Sequence, residues 1–365
     1  MSPHMFGITV FGQIAIVVGG AFLGLHYALI ECTQPVLGDA VIGALGGMTA
    51  LGYGLIKAPR NLLTRVLVRT AFVWSGLAFL AGLAFVGQFL LGQIGFLIGD
   101  GTAWLSAGLL GIVGFLRARH PQALYRRVEG DYDRPLRLLQ LTDLHIGDIW
   151  SKRDLARIVR KAGHYRPDCV VITGDLLDGM EPVDPDLVAP LEAFDVPVYF
   201  VSGNHDSYTE REELLDALRD VGAVPLEGAL DETGGATILG VGYDTPDSKS
   251  EDLAQALRAA QRPRIALKHK PEGLDTLLDS EPDALLCGHV HGGQIWPLGY
   301  LAYIEFPQVD GTRWRGDTMV HVSQGTATWG PPFRLGTRSE FTIIDFVPEG
   351  RDAPPGRNDK PEQRR

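Results

Sequence analysis

The chain has 365 residues, 45% of them hydrophobic, and a formal net charge of −11 at pH 7. Residues 136–365 hold 24 Lys and Arg against 38 Asp and Glu. Because duplex binding requires a basic footprint, this balance excludes nucleic acid as the main ligand. The three cysteines, Cys32, Cys169 and Cys287, are scattered, so they provide neither a disulfide framework nor a Cys-x-x-Cys metal site.

The first 120 residues have the composition of an all-α transmembrane module. Four nearly uncharged apolar runs approach or exceed the length needed to cross a bilayer. They span residues 6–30, 36–56, 70–99 and 103–116. We therefore predict about four spans over residues 1–120, with three as the alternative. No Lys or Arg precedes Lys57, which argues against a cleaved signal peptide.

Basic residues predict the orientation of this module. One group lies between the second and third runs and another follows the fourth: Lys57, Arg60, Arg65 and Arg69, then Arg117, Arg119, Arg126 and Arg127. Short loops rich in Lys and Arg stay on the cytoplasmic side of a membrane. With four spans, both groups and the C-terminal domain are therefore expected to be cytoplasmic.

From Leu136 the pattern changes to strands that alternate with helices. Five buried strands are predicted, each ending at polar residues: LRLLQLTD, DCVVITGD, VPVYFVSGNHD, PRIALKHKP and DALLCGHVHGG. Ser151 and Asp154 predict a capping box at the start of a helix. The segments MVHVSQGTATWG and EFTIIDFV return to β-structure. We predict a linker at 121–135, an α/β domain at 136–347 and a disordered tail at 348–365.

The five strand ends carry an unusual density of carboxylate, amide and imidazole groups. In open α/β folds these ends form the ligand-binding edge of the sheet. They supply Asp143 and His145; Asp175 and Asp178; Asn204, His205 and Asp206; His269; and His289 and His291. A cysteine-free set of this kind suits manganese, iron or zinc. This set of ligands is too large for one ion but suits two ions that share a carboxylate. A pair of ions favours displacement at phosphorus, because the ions activate a water and stabilise the entering and leaving oxygens.

The same residues carry a family resemblance. D-x-H, G-D-x-x-D, G-N-H-D, the His of KHKP and G-H-x-H-G-G-Q follow one another within residues 136–346. In this order they resemble the calcineurin-like metallophosphoesterase superfamily. The membrane module and the closing GTATWGPPFRLG resemble its membrane-associated bacterial branch. One departure is Asp206, where that branch often has Glu. The resemblance implies a four-layer α-β-β-α sandwich and a metal-dependent phosphoric ester hydrolase.

The resemblance also implies a role for each site residue. Two divalent ions are expected, with manganese preferred and iron or zinc as alternatives. The first would be held by Asp143, His145 and His291, the second by Asn204, His269 and His289, and Asp175 would bridge them. His205 would protonate the leaving group, oriented by Asp206. Three further residues are judged apart from the resemblance. Asp178 is expected beside the metals or in a turn. Arg334 is a candidate contact for substrate phosphate or else a solvated charge, and Trp329 is a candidate substrate contact beside the cleft or else a core residue.

The predicted function is hydrolysis of a phosphodiester or pyrophosphate bond by a multi-pass enzyme of the cell inner membrane. The anchor keeps the site close to membrane molecules, which favours a lipid or lipid-linked substrate. The resemblance implies UDP-2,3-diacylglucosamine as an example of such a substrate. Two alternatives are a phosphodiesterase for soluble nucleotides that is merely anchored, and a membrane sensor or transporter with a regulatory phosphoesterase domain. The sequence identifies no protein partner.

Overall fold

The structure, a computed structural model, describes residues 39–56, 61–96, 100–208, 210–233 and 235–350. These residues fall into two compact units. One consists of the chain up to Gly114 together with Gly330–Pro332, and the other begins at Phe115 and contains the remainder. The predicted disordered tail begins too early, because Pro348 ends a strand that pairs with Gly130; the part of the tail beyond residue 350 lies outside the described residues.

The N-terminal unit is helical. Its helices are α1 (Asp39–Gly54) and α2 (Leu62–Gln93), followed by α3 (Asp100–Arg119), which continues into the second unit. Within the described ranges, two helices are long and apolar enough to cross a bilayer, Leu62–Gln93 and Gly101–Arg119. The predicted span at 6–30 lies outside the described residues, and α1, with 16 residues, is short for a complete crossing. The count of four spans therefore stays a prediction.

Helix α2 begins earlier than the apolar run that predicted it. Asn61 caps the helix: its side chain accepts a hydrogen bond from the Thr64 amide at 3.0 Å, and the Thr64 hydroxyl accepts from the Asn61 amide at 2.8 Å. This reciprocal pair satisfies amides that would otherwise lack partners at the helix start. As a consequence Arg65 and Arg69, which were expected in a loop, lie on the first turns of α2.

Two six-stranded mixed sheets form the second unit. In spatial order the first sheet contains β1 (Gln122–Gly130), β12 (Glu340–Pro348), β2 (Leu136–Leu141), β3 (Cys169–Thr173), β4 (Val198–Val201) and β5 (Val224–Pro225). The second contains β10 (Gly311–Arg315), β11 (Thr318–Val322), β9 (Ala284–Cys287), β8 (Arg264–Lys268), β7 (Ala236–Val241) and β6 (Ala229–Thr233). Strands β2 to β5 run parallel, as do β7, β8, β9 and β11.

Helices cover the outer face of each sheet. They are α4 (Lys152–Gly163), α5 (Arg211–Asp220), α6 (Asp247–Ala259), α7 (Asp275–Leu278) and α8 (Gly299–Glu305). One hydrophobic core joins the first sheet to α4 and α5, and another joins the second sheet to α6 and α7. A third lies between the sheets, where Leu138 and Val171 of the first share a cluster with Ile265 and Leu286 of the second. These layers confirm the predicted α-β-β-α sandwich.

The strand β1 corrects the predicted linker. Residues 122–130 pair in parallel with β12 along its whole length, from Gln122 opposite Glu340 to Gly130 opposite Pro348. Arg126 and Arg127 therefore belong to a sheet strand. Most residues of this edge strand are only partly buried, so apolar and polar side chains alternate weakly and little periodicity can be detected. The predicted capping box of Ser151 and Asp154 is present at the start of α4.

Substitution of Phe346 tests how much the hydrophobic core between the sheets contributes to stability. The Phe346 side chain is fully buried and contacts Tyr132 edge-on at a ring distance of 6.0 Å. We predict that Phe346→Ala lowers the free energy of unfolding by about 3–5 kcal/mol, because it removes packing and leaves a cavity. The matched control is Tyr243→Ala, because Tyr243 follows β7 and is 40% exposed. Thermal unfolding in detergent measures both variants, and equal losses would contradict this placement of Phe346.

Candidate metal centre

The polar strand ends are held in unusual backbone conformations. Five residues proposed as metal ligands have positive φ angles: Asp143 (52°), His145 (44°), Asp175 (53°), His289 (75°) and His291 (56°). Residues other than glycine rarely adopt this left-handed region, because it is sterically costly. Each strand therefore turns sharply at its carboxyl end, and the turns direct these side chains into one volume at the sheet edge.

Backbone hydrogen bonds lock the first two turns to each other. The Asp143 amide donates to the Gly174 carbonyl at 3.0 Å, and the His145 amide donates to the Asp175 carbonyl at 3.0 Å. Gly174 has a φ of 89°, and a Cβ at this position would collide with the ring of His269. Glycine is thus required both for the turn and for the close approach of the histidine.

Asp143, His145 and His291 form the first cluster of potential ligands. Their ligand atoms all lie within 4.8 Å of one another, and all three residues are buried. The Nε2 atoms of His145 and His291 are 3.1 Å apart, and His291 Nε2 lies 3.2 Å from Asp143 Oδ1. The Thr142 hydroxyl and the His289 amide donate to the Asp143 carboxylate, which fixes its orientation.

Asp175, His269 and His289 form the second cluster, whose ligand atoms also lie within 4.8 Å of one another. Asp175 Oδ2 is 3.1 Å from His269 Nε2 and 3.7 Å from His145 Nε2, so this oxygen lies between the two clusters. His269 Nδ1 lies 2.7 Å from the Thr173 carbonyl. Donation to that carbonyl leaves Nε2 free to bind a cation. Burial raises the pKa of Asp175, but His269 and His205 outweigh it and hold the pKa well below its usual range.

The donor set fits a dinuclear centre for divalent metals. Imidazole and carboxylate groups without thiolate suit ions of intermediate hardness. Asn204 adds an independent observation, because its Oδ1 is buried and has no hydrogen-bond partner among the described residues. Its Nδ2 donates to the Tyr208 hydroxyl at 3.2 Å. A buried carbonyl oxygen without a donor is costly, and a cation would satisfy it.

His205 lies at the edge of both clusters. Its Nδ1 is 2.8 Å from the Asp178 carbonyl, and its ring centre is 4.8 Å from that of His145. His205 also forms a third group with His145 and Asp175 whose ligand atoms are within 4.8 Å of one another. Its backbone amide donates to Asp175 Oδ1, so His205 and the Asp175 carboxylate are held together.

Asp206 has a different partner from the one expected. Its carboxylate accepts hydrogen bonds from the backbone amides of Asp175, Leu177 and Gly203, at 2.7, 3.0 and 2.9 Å. The expectation that Asp206 orients the His205 ring directly is therefore wrong, since that ring contacts the Asp178 carbonyl instead. Asp206 joins the turn after β3 to the turn after β4. Burial and the charge of Asp175 raise the pKa of Asp206 to about 7.

Asp178 lies beside the clusters, as expected. Its carboxylate accepts from the amides of Asp148 and Met180, at 2.8 and 2.9 Å. Burial raises its pKa to about 7 despite these two donors. Asp178 therefore shapes the loop whose carbonyl holds His205.

Of the two candidate substrate contacts, only Trp329 lies at the site surface. Its ring centre is 5.3 Å from that of His205, and the residue is partly exposed. Arg334 is fully buried, and its guanidinium donates to the carbonyls of His291 and Ala327 at 2.9 and 2.6 Å. The prediction that Arg334 binds substrate is therefore wrong: it supports the ligand turn at His291. A buried arginine cannot be distinguished from an exposed one by residue type alone.

Two residues of the site, Tyr208 and Gln294, were not predicted from the sequence. Tyr208 contacts the His205 ring at 5.1 Å and receives the Asn204 amide, and only its closeness to G-N-H-D signals this. Gln294 exchanges two hydrogen bonds with the Trp329 backbone, each 3.1 Å long. Gln294 ends the motif G-H-x-H-G-G-Q, but the motif does not indicate this role. Gln294 thereby holds Trp329 beside the site.

A sandwich of two sheets with a histidine and carboxylate centre at one edge defines a metallophosphoesterase domain. Residues 136–293 match the family model described as calcineurin-like phosphoesterase. Residues 136–293 therefore form a domain similar to the calcineurin-like phosphoesterases.

Relatives extend the similarity beyond the matched domain. "Transmembrane protein with metallophosphoesterase domain" from Bos taurus is 32% identical over 265 residues, covering 65% of this chain and 60% of the relative. "Uncharacterized metallophosphoesterase" from Helicobacter pylori is 30% identical over 236 residues, covering 60% and 62%. The chain thus spans about three fifths of these relatives. Among solved structures, a dimetal phosphatase from Danio rerio aligns with a TM-score of 0.38 and 14% identity, over 53% of this chain and 88% of that one.

The position of Asp175 between the clusters leads to a prediction about metal content. We expect Asp175→Asn to lower metal stoichiometry and to abolish nearly all turnover, because a shared carboxylate contributes charge to both ions. The control is Asp345→Asn, since Asp345 is equally buried but pairs with Arg137 in the first sheet. Metal analysis and turnover are measured on the same samples. Two bound ions and normal turnover in Asp175→Asn would remove Asp175 from this role.

Proposed function

We propose that this chain is a membrane-anchored, dinuclear phosphoesterase that hydrolyses a phosphodiester or pyrophosphate bond. The observation that carries the proposal is the Asp175 carboxylate between two clusters of buried ligands. One such cluster would suit a structural ion. Two clusters that share an oxygen suit phosphoryl chemistry, where charge develops on the attacking and the leaving side of one phosphorus.

The proposed chemistry divides between the metals and the protein. Two bound divalent ions would supply the activation of water and the charge that stabilises the entering and leaving oxygens. Asp143, His145 and His291 would hold one ion, and Asn204, His269 and His289 the other, with Asp175 shared. Manganese is the preferred ion and iron or zinc the alternatives, because this donor set suits all three.

His205 is the proposed general acid. Its Nδ1 donates to the Asp178 carbonyl, which leaves Nε2 to carry a proton towards the substrate. Its neighbours Trp329 and Tyr208 contact the ring and limit its rotation. Arg334, by supporting His291, and Asp206, by joining two ligand turns, maintain the positions of these groups.

The proposed substrate is a lipid or lipid-linked phosphodiester or pyrophosphate, such as UDP-2,3-diacylglucosamine. Membrane association supports this choice, because two described helices are long and apolar enough to cross a bilayer and the matched Bos taurus protein is named for its membrane segment. A domain attached to the bilayer meets lipid substrates at high effective concentration. Turnover of purified protein with manganese on micellar lipid and on soluble nucleotide phosphodiesters tests the choice; turnover of soluble nucleotides alone would contradict it.

A leaving-group comparison tests the role of His205. We predict that His205→Ala keeps both metals and loses about 10²–10⁴-fold in turnover of an ester with a poor alkoxide leaving group. It should lose much less on a nitrophenyl ester, because nitrophenolate is stable without a proton. His164→Ala, at an exposed position after α4, is the control. An equal loss on both esters with metals intact would contradict the acid role, and loss of metal would identify His205 as a ligand.

We also propose that this is a multi-pass inner-membrane protein with its catalytic domain in the cytoplasm. The basic groups around Arg60 and Arg117 support this orientation. A reporter fused to the C-terminal residue should be active only in its cytoplasmic form. Activity of a periplasmic reporter at the same position would contradict the cytoplasmic placement of the catalytic domain.

A further inference from the structure

A group of large apolar side chains on the catalytic unit is exposed around α8. The group consists of Trp296, Leu298, Tyr300, Leu301, Tyr303 and Ile304, and is called the α8 patch below. Leu301 is 62% exposed, and Ile304 is 83% exposed. Soluble surfaces rarely expose such contiguous apolar residues, so a cluster of this size indicates an interaction surface. Glu305 is the one charged residue of α8.

The α8 patch is attached directly to the metal centre. The chain passes from the ligand His291 through the turn His291–Gly293 into α8 (Gly299–Glu305). Phe306, immediately after α8, contacts the ring of His289 edge-on at 5.3 Å. Trp296 is held by a 2.8 Å hydrogen bond from its amide to the Leu335 carbonyl. The patch therefore lies at the edge of the sheets that carries the ligands.

The last turn of α3 is bound to the same edge. Arg119 forms an ion pair with Asp154 at 2.6 Å, and its guanidinium lies 4.5 Å from the centre of the Trp150 ring. Trp150 belongs to the segment between β2 and α4 that also carries Asp143 and His145. Gln122, at the start of β1, lies opposite Glu340, on the side of the sheet where β2 ends. The chain thus joins the candidate span Gly101–Arg119 to the domain at its metal edge.

We propose that the α8 patch docks into the interfacial layer of the lipid bilayer. Trp and Tyr are the residues that prefer this layer, and Leu and Ile reach past it into the acyl region. Arg313 donates to the Pro307 carbonyl at 3.0 Å, next to the end of α8, and its exposed charge suits anionic headgroups. The bilayer is the partner that fits, because an apolar helix long enough to cross it enters the domain at this same edge, where Arg119 contacts Asp154 and Trp150.

Docking of the α8 patch would also define the class of substrate. This consequence rests on the proposed function. With the α8 patch in the bilayer, the ligand turn at His289 and His291 lies at the depth of the headgroups. The phosphorus that reaches the centre is then the one in a headgroup, while the acyl chains remain in the membrane. Soluble phosphodiesters would still reach the metals from water, without help from the patch.

A spin-label experiment tests docking without any use of catalysis. The full chain carries Ile304→Cys in a Cys32→Ser background, where the other two cysteines, Cys169 and Cys287, are buried. A nitroxide at position 304 in nanodiscs should collide more with oxygen than with a water-soluble nickel chelate. Glu129→Cys is the control, because Glu129 is exposed at the opposite end of the first sheet. Equal, water-like accessibility at both positions overturns docking.

A paired substitution tests the consequence for substrates. Leu301→Asp with Ile304→Asp should lower turnover of a phosphodiester lipid in nanodiscs about tenfold or more, because the effective concentration of substrate falls. Turnover of bis(p-nitrophenyl) phosphate should not change. Gln255→Asp with Ala256→Asp, on the exposed face of α6, is the charge-matched control. Unchanged lipid turnover overturns the substrate inference. If the native protein hydrolyses neither substrate, the proposed function fails, and the nitroxide result alone decides docking.

Discussion

The buried carboxylate of Asp175 is the group on which the site depends. Its Oδ2 lies between His145 and His269, its Oδ1 accepts the His205 amide, and its own amide donates to Asp206. An anion removed from water is stable only when donors or cations surround it. The turns after β2, β4 and β8 therefore converge on this one residue, and their geometry follows from the need to satisfy its charge.

The sandwich supplies the rigidity that such a site requires. Left-handed backbone at five proposed ligands is unfavourable locally, and it persists only where surrounding structure fixes it. Here the strands that precede the turns are buried on both faces, by helices on one side and by the opposite sheet on the other. Hydrophobic packing thus offsets the strain at the strand ends, and the strain is confined to the residues that face the centre.

The sequence identified the polar residues at the strand ends, but it did not identify the hydrogen bonds that hold those residues in place. Asp143, Asp175 and His289 could be assigned because apolar strands stop at them, and parallel strands bring such ends to one edge. The hydrogen-bond partners of Asp206 and Arg334 could not be predicted, because they are backbone groups of other turns. Every residue has a backbone, so the residue type does not indicate such a bond. Strand β1 was missed for a related reason: its partner β12 lies more than two hundred residues away, and local periodicity carries no record of that pairing.

The pairing of β1 with β12 has a consequence for the order of synthesis. As the chain leaves the ribosome, α3 and β1 emerge long before Glu340–Pro348, so β1 has no partner in its final sheet while most of the domain is made. Pairing across so long a separation is slow, because the entropy of closing the loop must be overcome first. The strand that follows α3 in the chain therefore waits longest for its partner. Until β12 is made, β1 leaves unpaired backbone groups to which another chain could bind.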